Sequence, residues 1–150
     1  METRSLGLLL HDAARAVRKR FEARAVAYGL TSAQWRMLLR VCKTEGGAPQ
    51  SHFADLLEIE PISVSRLLDR MEVMGWVTRA HDPKDRRVRL VFPTPKALDA
   101  FANFKPVADE VYAEALAGIT PDQRNRLLDA LGTIVSNLAT AEDFGQKDPQ

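Results

Sequence analysis

The sequence predicts a mainly α-helical chain carrying one small β-hairpin, and three observations lead there. Apolar residues recur at helical spacing through most of the 150 residues. Only the run from Trp76 to Phe92 breaks that rhythm, with Val88, Leu90 and Phe92 alternating with Arg87, Arg89 and Val91 at the period of a half-exposed strand. Helix starts and stops are also written in local chemistry: Thr31, Ser51 and Thr120 suit N-caps, Pro61 and Pro121 suit first helical positions, and Gly29 and Gly75 suit the residue after a last turn.

Taken in order, residues 5–27 place Leu6, Leu10, Ala13, Ala14, Val17 and Phe21 on one helical stripe, with Arg15, Arg18, Lys19, Arg20 and Arg24 between them. "LTSAQW" opens a second helix, where Thr31 and Gln34 form a capping box and Trp35, Leu38, Leu39 and Cys42 form the stripe. "GGAP" at 46–49 ends it. A short helix capped by Ser51 turns Phe53, Ala54 and Leu57 inward. After a tight connection, "PISVSRLLDRMEVMG" buries Val64, Leu67, Leu68 and Met71 and turns Ile62, Ser63, Arg66, Asp69 and Arg70 outward. The strands "WVTRA" and "RVRLVF" follow, joined by the charged loop from His81 to Arg86. Thr94 and Pro95 open a long helix through Phe101, Phe104, Val107 and Val111, with a kink expected at Pro106. "ITPDQ" caps the last helix, whose apolar members are Leu127, Leu128, Leu131, Ile134, Val135 and Leu138. Residues 142–150 read as a polar tail. A short helix, a tight turn and a longer helix followed at once by a basic hairpin is the winged helix-turn-helix arrangement.

Composition excludes several classes. Apolar content of 45% and charged content of 27% are ordinary for a folded domain. The single cysteine, Cys42, excludes an intramolecular disulfide and a cysteine-built zinc site, and its place on an apolar stripe marks it as structural. No apolar run reaches the length of a membrane span, and "LGLLL" is too short for a signal-peptide core, so a cytoplasmic protein without membrane partners is expected. His11, His52 and His81 fall on separate elements with no metal-ligand spacing; no catalytic residues, metal or cofactor are expected, and an enzyme is the poorest fit. The net charge of +1 hides clustering: nine cations stand against three acids over residues 1–43, and five against two over residues 76–92, whereas residues 51–75 hold two cations and five acids.

The stretches "IEPISVSRLLDRMEVMGWVTR" (59–79) and "DPKDRRVRLVFPTPKA" (82–97), with Trp35 in "LTSAQW", resemble the MarR family of bacterial transcriptional regulators, and its SlyA-like branch in particular. The similarity covers roughly residues 5–140. "FPTPKA" departs from the family pattern, with Pro93 before Thr94 and Ala97 where glycine is common. The resemblance implies one MarR-type domain over 1–150: a winged DNA-binding part at about 30–95, and dimerisation helices at 5–28 and 95–140. It implies a homodimer that binds a near-palindromic double-stranded operator, as a repressor responsive to a ligand.

On that reading the helix from Pro61 enters the major groove, with Ile62, Ser63, Ser65 and Arg66 toward base edges and Arg70 toward phosphate. The wing puts Arg86, with Arg87 beside it, into the minor groove, while Asp82 and Asp85 fix the loop. Helix N-termini at Ser32 and Ser51 supply further phosphate contacts. A small aromatic-acid effector would meet Arg15, Trp35 and His11. Plainer alternatives stand beside each: the wing as a solvated turn, Arg66 and Arg70 paired with Asp69 or Glu72, Trp35 as core. The rival function is a winged-helix module that docks on an acidic protein partner.

Overall fold

The computed structural model describes residues 3–144, with side chains over 5–139. Elements follow in the order α1 (Thr3–Ala25), a 3₁₀ turn (Val26–Tyr28), α2 (Ser32–Lys43), β1 (Ala48–Pro49), α3 (Gln50–Leu57), α4 (Pro61–Val73), β2 (Val77–His81), β3 (Arg89–Pro93), α5 (Pro95–Ala115) and α6 (Pro121–Phe144). This is the expected helical chain with a small antiparallel sheet. No described helix is long and apolar enough to cross a membrane. Two compact units divide the chain, Met1–Tyr112 and Ala113–Gln150.

Local signals placed most helix ends. Thr31 and Gln34 complete the reciprocal box: Gln34 N donates to Thr31 Oγ1 at 3.2 Å, and Thr31 N donates to Gln34 Oε1 at 3.0 Å. The same pair of bonds joins Thr120 and Gln123 ahead of α6. Pro61 stands at the start of α4, and Gly75 follows it in the left-handed region at φ 79°. Ser51 is a correction. The chain enters α3 from Pro49, held extended by pairing with Leu90, so the helix begins at Gln50 without a side-chain cap and Ser51 lies inside its first turn.

The hairpin also gained a strand, because β1 pairs with β3 on the side away from β2. In register, Arg79 faces Val91, and Val91 is fully buried while Leu90 and Phe92 are half-buried. Gly47 makes the close approach: a Cβ there would stand 2.4 Å from Phe92 Cε1, with φ at 76°. Gly46, at φ 74°, meets nothing within 4 Å. Both substitutions to Ala carry the left-handed penalty of about 1–2 kcal/mol. Gly47→Ala should lower the melting temperature measurably further than Gly46→Ala, because only it must displace the Phe92 ring.

In the first unit, Trp35, Met37, Leu38, Phe53, Leu68 and Met71 form a core closed by Val77 and Val91 from the sheet and by Ala97 and Phe104 from α5. α5 runs on through Pro106. On α1 the stripe is uncovered at its start, where Leu6 is more than half exposed, and Leu8 and Leu9 beside it are exposed as well. Considered alone, the second unit is α6 with Leu128, Val135 and Leu138 exposed to a similar degree. Residues 142–144 continue α6, and the rest of the expected tail, 145–150, lies outside the described residues.

Candidate nucleic-acid interface

The candidate interface is built from α4 and the loop between β2 and β3, and Arg79 joins them. Its side chain is only 4% exposed and donates to Asp69 Oδ1, to Glu72 Oε1 at 3.1 Å and to Gln50 Oε1 at 3.0 Å. Its backbone N–H donates to Glu72 Oε2 at 3.1 Å. Burial works against the charged guanidinium, yet bonds and charge from Asp69 and Glu72 outweigh it and raise its pKa. Arg79, counted from sequence among the hairpin's cations, is therefore a strut from β2 to α4 and α3.

That strut settles a question about α4. Asp69 and Glu72 face Arg79, so neither pairs with Arg66 or Arg70. Among the described residues, Arg66 and Arg70 have no ion pair or side-chain hydrogen bond, and both are exposed along with Ser63 and Ile62. Pro61 is exposed at the helix start. Ser65 departs from expectation: it is half-buried, one position round from Val64, which packs fully inside.

In the wing loop, Lys84 N donates to Asp82 Oδ1 at 2.9 Å and Arg87 N donates to Asp85 Oδ1 at 3.0 Å, two consecutive Asx turns. Asp82 N donates to Val88 O at 2.9 Å and Val88 N to Asp85 O at 3.0 Å. The Arg87 side chain returns to the Asp85 carboxylate, Nε to Oδ1 at 3.1 Å, and with its backbone N–H holds Asp85 below the usual carboxylate range. A lowered carboxylate pKa supports the loop above it and withdraws that support as pH falls through it. Both aspartates thus shape the turn, while the exposed Arg86 and Lys84 side chains have no partner among the described residues.

Lys96 and Thr94 support the interface from behind. Lys96 donates to Met74 O at 2.9 Å, capping the end of α4, and its Nζ lies 4.1 Å from the Trp76 ring centroid. Thr94 Oγ1 donates to Gly75 O at 2.6 Å and accepts from Ala97 N at 3.2 Å, joining the ends of α4 and β3 to the start of α5. A cation within two residues of a helix-opening Thr-Pro hinted at Lys96; nothing local pointed to Gln50.

Other expected sites fare differently. The Ser32 hydroxyl, expected to meet phosphate, donates to the Glu22 carboxylate. Trp35 is 1% exposed, its ring packed against Phe104 and Tyr28, which also meet each other. Arg15 and His11 are exposed on α1 and make no contact with it among the described residues, so the effector trio is not brought together. Large aromatic volume drew Trp35 into the core. Cys42 is half-buried, its Sγ 3.7 Å from Ala97 O, and burial pushes the thiol up to about 11. Its alkylation by iodoacetamide at pH 8 should be about a hundredfold slower than that of an ordinary thiol and should rise toward pH 11. A rate equal to that of free cysteine would contradict the burial.

A sequence profile described as MarR family matches residues 28–88. The solved structure of transcriptional regulator PA3341 is 30% identical, covers 89% of this chain and 98% of its own, and superposes with a TM-score of 0.78. A MarR family transcriptional regulator from Listeria monocytogenes, complexed with 26mer DNA, is 25% identical over 100% of this chain and 99% of its own, with a TM-score of 0.75. The HTH-type transcriptional regulator YybA of Bacillus subtilis is 20% identical over 118 residues, 79% of this chain and 78% of its own.

Proposed function

The chain belongs to the MarR family of transcriptional regulators, and from that premise we propose that it is a dimeric, sequence-specific DNA-binding repressor of the SlyA-like branch, acting in the cytoplasm. The observation that carries the reading is the pairing of Asp69 and Glu72 with Arg79, which leaves Arg66 and Arg70 unpaired on the outer face of α4. A guanidinium with no partner on its own helix is free to meet DNA at no cost of breaking an ion pair. On this reading Arg66 takes a guanine edge, Ile62 a thymine methyl, Ser63 a base or its neighbouring phosphate, and Arg70 a phosphate. Pro61 sets the approach of the helix end.

The wing follows the same logic. Asp85 fixes the turn and holds Arg87 close, and Arg86 at the tip enters the minor groove, where a narrow groove concentrates negative potential. On this reading Ser51, in the first turn of α3, meets a backbone phosphate. The domain is read as one MarR-type unit over 1–150, with the winged part at about 30–95. A second copy would cover the exposed Leu6, Leu8 and Leu9 of α1 and Leu128, Val135 and Leu138 of α6, because apolar surface of that extent is unfavourable in water. Two-fold pairing would then set two recognition helices about 34 Å apart, one turn of duplex. A ligand favouring a different spacing would release the DNA through its differential affinity alone.

Fluorescence anisotropy against duplex at several salt concentrations tests the wing. Arg86→Ala should weaken operator binding and reduce the slope of log affinity on log salt by about 0.9 for each wing, about 1.8 for the paired molecule. An unchanged slope would remove Arg86 from the interface. Equal weak affinity of the parent for every duplex would instead favour docking on an acidic protein.

A further inference from the structure

Away from α4 and the wing, a cleft of about 360 Å³ opens where α1, α2 and α3 meet. Arg18, Arg36, Arg40 and Lys43 line it, with Leu39 and Leu56 among its apolar members and no carboxylate in its wall. Arg36, Arg40 and Lys43 fall at i, i+4 and i+7 on α2, so one helix face delivers three of the four charges. Arg36 is anchored across the cleft by donating to Leu57 O at 3.4 Å. Arg18 lies 3.8 Å from the Glu22 carboxylate along its own helix. Arg40 and Lys43 have no side-chain partner among the described residues.

Like charges gathered in a concavity repel one another, and helix neighbours four residues apart do so directly. A single carboxylate would neutralise only one of the four. A phosphate or diphosphate group offers several charges and several acceptor oxygens at once, in the geometry that guanidinium forks favour. The aliphatic wall, Leu39 beside Leu56, which is 41% exposed, suits a short hydrocarbon chain in preference to a stacked ring. The volume falls within the range of small-molecule sites, roughly 300–1,000 Å³. We propose that this cleft binds an organic phosphate or diphosphate ester bearing a short aliphatic chain, the charged group held by Arg36, Arg40 and Lys43 and the chain lying along Leu39 and Leu56.

The test is isothermal titration of the full chain with geranyl diphosphate, compared with inorganic diphosphate, geraniol and salicylate. Geranyl diphosphate should bind at least tenfold more tightly than each of the other three. The paired change Arg40→Gln with Lys43→Gln, at exposed positions without partners, should cost at least a further tenfold while leaving the melting temperature in place. No DNA enters this titration, so its outcome is independent of what α4 and the wing bind. Equal binding of inorganic diphosphate would reduce the site to a charge patch, and tighter binding of salicylate would assign it to single carboxylates; either overturns the proposal. So would a doubly substituted protein that keeps its ligand affinity.

Discussion

Replacing Arg79 with methionine should lower folding stability by about 2–3 kcal/mol and operator affinity at least tenfold. The stability figure reflects several charge-assisted hydrogen bonds, each worth about 1.5–3 kcal/mol when made to a charged partner, reduced because Asp69 and Glu72 remain partly in water. Methionine keeps most of the buried stem's volume, so the loss reports the charge and not a cavity. Affinity should fall for a second reason. Without the strut, β2 and the wing lose their fixed bearing on α4, and the freed Asp69 and Glu72 return to the same face as Arg66 and Arg70. All cations at the interface survive the change, so the salt dependence of binding should stay near that of the parent. Denaturant unfolding and anisotropy titrations, run where both proteins are folded, separate the two effects. Asp69→Asn leaves Glu72 and Gln50 in place and should cost less than about 1 kcal/mol. A methionine variant with parental stability and affinity would show the network to be ornamental.

The second large effect belongs to Arg66. Arg66→Ala should reduce discrimination between operator and mismatched duplex by about 1–3 kcal/mol, roughly five- to 150-fold, concentrated at one base pair of each half-site. Stability should hardly change, because the side chain is exposed and has no bonding partner among the described residues. Arg70→Ala should differ in kind, weakening binding to all duplexes alike. If Arg66→Ala lowered affinity uniformly, the two arginines would have to exchange roles.

What could be seen in the sequence, and what could not, divides along the range of the interactions. Thr31 with Gln34, Thr120 with Gln123, Pro61 and Gly75 act within a few residues, so their chemistry announced the helix ends. β1 did not announce itself: it is two residues long, includes a proline, and exists through pairing with Leu90 and Val91 some forty positions later. That pairing also displaced the cap expected at Ser51. Arg79 shows the same limit in electrostatics. Counting charges along the chain placed it with the wing cations and placed Asp69 and Glu72 among opposing acids, whereas folding turns those three on each other. Trp35 was visible as apolar and as a candidate ligand surface, and only the positions of Tyr28 and Phe104 decided for the core. The outward residues of α4 were legible because helical spacing alone fixes a face; the solvent-facing arginines needed the fold to establish that they are unpaired.

The central claim is that α4 and the wing read one DNA sequence through a paired molecule. Its most direct test is to select duplexes from a random pool with the purified full chain, then titrate the selected sequence and a shuffled control at one physiological salt concentration while measuring stoichiometry. The account predicts a near-palindromic sequence bound by two chains, at least about a thousandfold more tightly than the control. Equal affinity for both duplexes, or one chain per bound site, would contradict it.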